Sequence, residues 1–506
     1  MNKKKSSFLN ISAVLLSNVT LFFVGLVTKK FNLEYLGIEI IGINTTLGSL
    51  VSFSTLVDGG VATAIIYKLY SLIQENDQKK INEYTNVIRS CYNLIVCFIT
   101  VLSIIFAFII PFVLKGISIG INVYIYYFLL VSYVIFLYLY SYKRCILLAY
   151  MKNYICVYVD TALVILFSIF QILAVIQTKS FSLFLILSVL RIITSNAVIN
   201  FYVNRHYPFL RKEKLNKILL KQVIPDIKNL YACRFASFLF NSSDNIIISI
   251  FVNTITVGIY SNYTMITTNI RNVVMNAVSS LSPILGNTFA SNNCGNMMKY
   301  SYFSAVNLFS YFICMLLIPP QYVLLQHFIT YYAGSDLLLS KAVVIVILIE
   351  QYISILRDPS GFFLALEGKF NSLKKIELVV AIVNLVLSLL FVYFFGIVGV
   401  ILATIIARIC QWGASIYALF FEFECIREIF KYLIKQLFQF LFIIVACYLA
   451  NIFFDNLFNE YCFFVSFVLV GLSSSIIGLV LSVLYTLLVS ERKFYLSSIK
   501  KMISKA

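Results

Sequence analysis

Runs of about twenty apolar residues recur along almost the whole chain, each long enough to cross a hydrocarbon core as a helix. A bilayer cannot hydrogen-bond to the backbone, so a chain that crosses it must satisfy its own N–H and C=O groups. Only helices and closed barrels do this. A barrel needs alternating apolar and polar residues, whereas segments such as 379–395 are apolar on every face. Composition agrees: 61% of the 506 residues are hydrophobic, 12% are charged, and the mean hydropathy is +0.94. A soluble domain has too little interior to hide that much apolar surface.

The expected fold is therefore an all-α polytopic membrane protein with about fourteen transmembrane helices. The spans are read near 8–28, 38–66, 90–114, 122–142, 157–177, 181–204, 229–251, 256–285, 300–324, 337–364, 376–395, 397–421, 436–454 and 462–489. The opening Met-Asn-Lys-Lys-Lys leads into a long apolar segment, and more spans follow, so it reads as the first helix rather than a cleaved signal.

The net charge of +18 could suggest nucleic acid, but its placement points to a membrane instead. With the N-terminus inside, the outer loops hold only Lys29, Lys30, Lys115 and Lys179. Six more cations fall within spans: Arg191, Arg234, Arg271, Lys341, Arg357 and Arg408. That leaves 29 of the 39 Lys and Arg for the inner segments. This asymmetry is the positive-inside rule, and it predicts both termini in the cytoplasm, with no nucleic-acid partner. The eleven cysteines show no metal-ligand spacing and read as small apolar residues. A phosphate-cradling Walker loop is absent. No cofactor is expected, and coupling to protons or sodium stays open.

A repeat organises the chain. An offset of 216 residues carries Gly42 onto Gly258 and the loop 69–84 onto 285–300, and an offset of 217 carries Lys152 onto Lys369 and Asp160 onto Glu377. The reading is a six-helix bundle over 1–204, a basic connector over 205–228 and a second six-helix bundle over 229–424. Two further helices and a basic tail fill 425–506. Parallel repeats of this kind place a substrate path between halves that rock.

Ionisable residues within spans are the candidate site, since each costs several kcal/mol unless it meets a partner or a watery cavity. Arg271, Arg234 and Arg357 suit a partly cationic lumen, because guanidinium stays charged and binds phosphate oxygens as a fork. The alternative is packing by pairing, of Arg234 or Arg271 with Asp244. Asp244 reads equally as a lumen partner or a structural cap. Asp58, before Gly59-Gly60, reads as a helix-terminating group or a site residue, and Pro359 and Gly361 after Arg357-Asp358 suggest a broken or kinked helix. Tyr260 and Asn262 could contact a glycan, or belong to an aromatic belt.

Those residues also carry a resemblance. "SSDNIIISIFVNTITVGIYSNY" (242–263) is similar to a signature of polysaccharide repeat-unit flippases, the Wzx type. Further likenesses are "LEYLGIEIIGIN" (33–44), "LGN" (285–287), "RDPSGFFLALEGKFN" (357–371) and "FGIVGV" (395–400). That family lies in the superfamily of multidrug exporters and the lipid II flippase. The resemblance implies two six-helix bundles around a central cavity. It implies movement of an oligosaccharide linked to undecaprenyl pyrophosphate from inner to outer leaflet, with a polysaccharide polymerase among possible partners. The rivals are an ion-coupled exporter, which would use Asp58, Asp160, Asp244, Glu350 and Glu377, and a membrane-embedded glycan polymerase, which would need a larger outer loop.

Overall fold

A computed structural model describes residues 3–55, 61–117, 120–213, 219–220, 240, 242–279, 285, 289, 295–454 and 463–488. The described residues are helical with short connections and no strands. Nine helices among them are long and apolar enough to span a bilayer. Their apolar side chains lie on all sides, as expected where lipid replaces water as solvent. The chain is an all-α polytopic membrane protein.

It divides into two compact units, Met1–Gly258 and Ile259–Ala506. The first unit comprises α1 (Lys3–Leu36), α2 (Ile38–Ser54), α3 (Val61–Gln74), α4 (Gln78–Ala107), α5 (Ile110–Val113), α6 (Ile121–Leu139), α7 (Ser141–Ala149), α8 (Asn153–Thr178) and α9 (Phe181–His206). A helix over 242–251, α10, and the first turn of α11 (Thr254–Ser279) complete it. Its core gathers Leu47, Ile65, Leu69, Ile81 and Val87. Beside that core, α8 lies against α1 and α9, and α9 against α6. Gly37, at φ +86°, turns the chain between α1 and α2, a conformation glycine adopts without a Cβ penalty. Asp77 caps α4, its Oδ1 accepting the Lys80 backbone N–H at 3.0 Å. That bond and the Lys80 ammonium hold its carboxyl below the usual range.

The second unit holds the rest of α11, then α12 (Asn296–Ala333), α13 (Lys341–Leu366), α14 (Phe370–Glu422), α15 (Ile429–Phe454) and α16 (Phe463–Leu488). The long α14 is two helices in one run, broken at Gly396 (φ +57°, ψ −132°), a backbone geometry essentially confined to glycine. The break falls where the sequence separates the spans 376–395 and 397–421.

Four expectations need correction. Residues 38–66 are not one helix, because α2 ends at Ser54, with Thr55 as its C-cap, and α3 begins at Val61. Lys29 and Lys30 are not in a loop, since α1 runs on to Leu36. The outer loop expected over 325–336 is mostly helix, because α12 stays helical through Pro319-Pro320 to Ala333 and the connection is only 334–340. Nor is α13 broken at Pro359; it is helical from Lys341 to Leu366, with side chains just before the proline tied to neighbouring helices.

The last helix pair packs on α12 through small residues, which let backbones approach closely in lipid. A Cβ on Gly478 would lie 1.8 Å from the Met315 carbonyl oxygen, and Ser475 Oγ donates to the Leu316 carbonyl at 3.1 Å. Gly478→Val should therefore lower the thermal unfolding temperature in detergent, by overpacking worth about 1–3 kcal/mol. Gly471→Ala, whose new methyl would meet only the end of the Leu324 side chain, should be nearly silent in the same melt.

Candidate functional site

In the second unit the membrane-embedded charges close on one another. Arg271 of α11 grips Asp358 of α13 in a fork, with Nε to Oδ2 and Nη2 to Oδ1 both at 3.0 Å. Arg357, next to Asp358 in sequence, donates to the same Oδ1 at 2.9 Å and to Glu377 Oε1 of α14 at 3.0 Å. Gln411 Nε2 also reaches Glu377, at 3.3 Å, and its Oε1 accepts from Arg408 at 3.3 Å. Arg408 pairs in turn with Glu350 at 3.6 Å, and Ser354 Oγ donates to Glu350 at 2.7 Å. Three arginines meet three carboxylates, so the network is formally neutral. Asp358, with its side chain 1% exposed, sits between two guanidinium groups.

The sequence singled out Arg271 and Arg357, and the structure brings them together on Asp358. It also shows their bonding capacity turned on neighbouring carboxylates. Asp244 lies at the start of α10 in the first unit. Tyr260 packs against the core of the second unit. Asn262 is 2% exposed, and neither its amide nitrogen nor its oxygen has a hydrogen-bond partner. Its neighbour Tyr263 is fully buried, its hydroxyl accepting the Leu339 N–H at 3.1 Å. Arg234 and Asp58 lie outside the described residues.

The first unit holds a site of the opposite character. A cavity of about 390 Å³ opens among α1, α2, α8 and α9. Its wall includes Lys29 and Arg191, the polar side chains of Thr28, Asn32, Asn44, Thr45, Ser168, Gln171 and Ser188 and, among the described residues, no carboxylate. Arg191 Nη2 donates to the Tyr133 hydroxyl at 3.2 Å, and its guanidinium lies 5.7 Å from that ring. A phenol is neutral, so the contact orients the guanidinium without cancelling its charge. Gln171 is held by Ser188 Oγ at 2.7 Å, while the buried Thr28 Oγ1 has no hydrogen-bond partner. Phe181 and Phe184, stacked at 5.7 Å, supply an apolar wall.

A lysine and an arginine beside amides and hydroxyls suit an oxyanion whose remainder carries hydroxyl groups. Arginine offers a planar fork to phosphate and lysine a point charge. No metal is needed for that binding, and among the described residues no group of His, Cys, Asp and Glu could hold one.

The sequence reading places Lys29 in an outer loop and names Arg191 only as a cation within a span. The missed signal is helical spacing within apolar segments. Gly25, Thr28, Lys29 and Asn32 share one face of α1, as do Phe181, Phe184, Ser188 and Arg191 on α9.

The two charge sets should respond differently to mutation. Asp358→Asn leaves two half-buried guanidinium groups short of a charge and should cost about 3–5 kcal/mol, read as a fall in thermal unfolding temperature in detergent. Arg191→Gln removes a charge bound only to a phenol and should leave that temperature nearly unchanged.

No protein-family model matches the chain, and no curated protein matches it in sequence. Solved structures do match. The lipid II flippase MurJ, in an inward closed conformation, aligns with a TM-score of 0.65 at 17% identity, over 92% of this chain and 96% of that one. A multidrug resistance MATE family transporter of the MOP superfamily, inward-facing, aligns at 0.61 and 12% identity, over 81% and 95%. The MATE transporter VcmN of Vibrio cholerae, in a mutant form, aligns at 0.51 and 12% identity, over 82% and 98%. At these identities the likeness is one of fold, and the chain has the fold shared by the MurJ flippase and the MATE transporters.

Proposed function

We propose that this protein is a transporter that moves a lipid-linked oligosaccharide, carried on undecaprenyl pyrophosphate, from the inner to the outer leaflet of a bacterial cytoplasmic membrane, for synthesis of a surface polysaccharide. The observation that carries the reading is the cavity of the first unit, where Lys29 and Arg191 share a wall with the amides and hydroxyls of Asn32, Asn44, Gln171 and Ser188. The cations receive the pyrophosphate, and the amides and hydroxyls of Asn32, Asn44, Gln171 and Ser188 receive adjoining sugar hydroxyls. The prenyl tail needs no polar site, because it stays in lipid. Alternating access exposes the site to one leaflet and then the other, and consumption of product outside, by a polymerase, gives the cycle its direction. The MOP-type fold and the flippase-like motifs at 242–263 and 357–371 support the same reading.

An ion-coupled exporter would need membrane carboxylates available to bind and release a cation. Asp160, Glu350 and Glu377 are engaged by Arg144, Arg408 and Arg357, which leaves that rival Asp244 of α10 and Asp58, outside the described residues.

Liposomes carrying the protein and a fluorescent undecaprenyl-pyrophosphate saccharide test this. The readout is the fraction of lipid reached by a membrane-impermeant quencher. Wild type should move the lipid, and Arg191→Ala and Lys29→Ala should each slow it about ten- to a hundredfold, the worth of one charge-assisted hydrogen bond of ~1.5–3 kcal/mol. Arg191→Lys should retain an intermediate rate. Failure of the wild type to move the lipid, together with gradient-driven efflux of a cationic dye, would replace this reading with the exporter.

A further inference from the structure

Two adjacent cations of α7 meet opposite surroundings. Arg144 finds a carboxylate, gripping Asp160 of α8 through Nη1 at 2.6 Å and Nη2 at 3.0 Å, and its other contacts reach Ser195 and Asn196 of α9. Lys143 finds none. It is only 8% exposed, yet its Nζ donates to two neutral amide oxygens, those of Asn200 and Asn204, one turn apart on α9. The bond to Asn204 is 2.6 Å long. Arg89 of α4 stands beside this lysine. Lys143 Nζ and the Arg89 guanidinium each lie 5.7 Å from the centroid of the same ring, that of Tyr142. Among the described residues no carboxylate pairs with either cation, and Arg89 donates a hydrogen bond to none of them.

As packing alone this arrangement is unfavourable. Burial strips water from an ammonium group, amide oxygens replace it only in part, and a second cation nearby adds repulsion. A carboxylate would relieve both effects, as Asp160 does for Arg144 one residue along. The Tyr142 ring attracts both cations but has no charge to cancel theirs. An oxyanion would cancel it. Arg89 offers an unused guanidinium fork, and Lys143 a point charge with a third N–H beyond its two amide bonds. Because both cations adjoin one ring, a single phosphate or diphosphate at the ring edge can reach the two together. Asn204 is exposed at the rim, which leaves a way in.

The charge asymmetry of the sequence predicts the segments carrying Arg89 and Lys143 to lie on the cytoplasmic side. Basic pockets between helices at that level take phosphate-bearing headgroups. The cavity of Lys29 and Arg191 has none of these residues in its wall, so the two places are distinct. We propose that Arg89 and Lys143 form a second anion site, for a phosphate or diphosphate group in the inner headgroup layer. Asn200 and Asn204 hold the lysine in place, and Tyr142 spaces the two cations. The proposal rests on that orientation and not on the cargo reading.

Thermal unfolding in detergent tests it, in a Lys29→Gln/Arg191→Gln background that removes the cavity cations. Inorganic pyrophosphate, undecaprenyl pyrophosphate and phosphatidylglycerol are titrated in turn, with zwitterionic phosphatidylcholine as the control. At least one probe should raise the unfolding temperature more than the control does. Arg89→Gln should weaken that binding about ten- to a hundredfold, the worth of a charge-assisted hydrogen bond. It should leave the ligand-free unfolding temperature unchanged, because Arg89 donates to no described residue. Lys143→Gln should weaken binding similarly. A response to phosphatidylglycerol alone assigns the site to a bilayer phospholipid. A stronger response to undecaprenyl pyrophosphate assigns it to a diphosphate lipid, and an equal one to inorganic pyrophosphate assigns it to a soluble anion. No probe exceeding the control, or binding that both variants leave intact, would overturn the site. So would a fall in the ligand-free temperature of Arg89→Gln, which would make Arg89 a packing residue. Binding present in wild type and lost in the background variant would also overturn it, and would leave the cavity reading intact. If the protein moves no lipid-linked saccharide in liposomes but keeps the Arg89-dependent binding, the cargo reading fails and this site stands.

Discussion

A single carboxylate, Asp358, decides how three helices of the second unit can meet. It lies between Arg271 and Arg357, all but inaccessible, and a buried carboxylate in that setting is tolerated only with opposite charges and well-formed hydrogen bonds around it. Satisfying it brings α11 onto α13, and Arg357 then extends the chain of contacts to Glu377 on α14. The proline after Asp358 removes a backbone donor from α13, yet the helix continues through it. Ionic cross-links from Asp358 and Arg357 lie directly beside the proline. Charge in this unit is spent on joining helices.

The first unit treats charge differently. Asp160 and Arg144 form a comparable pair between α8 and α7, backed by Ser195 and Asn196 on α9. Apart from that pair, Lys29 and Arg191 line a cavity whose described wall holds no acid. Arg191 of this unit thus faces a cavity, whereas Arg408 of the second unit belongs to an ion network.

The sequence showed the class of fold directly, because apolar runs of spanning length admit few alternatives. It also showed the helix break at Gly396 and the matched glycines Gly42 and Gly258. Helix ends were harder to read. Lys29 looks like a loop residue because it is charged and adjoins Lys30, but a helix can carry both when one polar face meets a cavity. The partner of Arg271 was hidden for a different reason: Asp358 lies 87 residues away, and nothing local in either segment announces the pairing. The cavity was written as polar stripes on α1 and α9, a weak signal because each stripe is diluted by apolar neighbours from the same helix.

The two guanidinium groups at mid-helix also meet different histories as the chain is made. An arginine near the centre of an inserting helix costs about 2.5–3.5 kcal/mol. Arg191 enters with α9 after α6 has been synthesised, so its Tyr133 contact is already available. Arg271 enters before Asp358 exists and must wait for α13 to leave the ribosome. Biogenesis of the second unit therefore has a vulnerable interval that the first does not share, when α11 is held in the membrane by neighbours other than its eventual ionic partner.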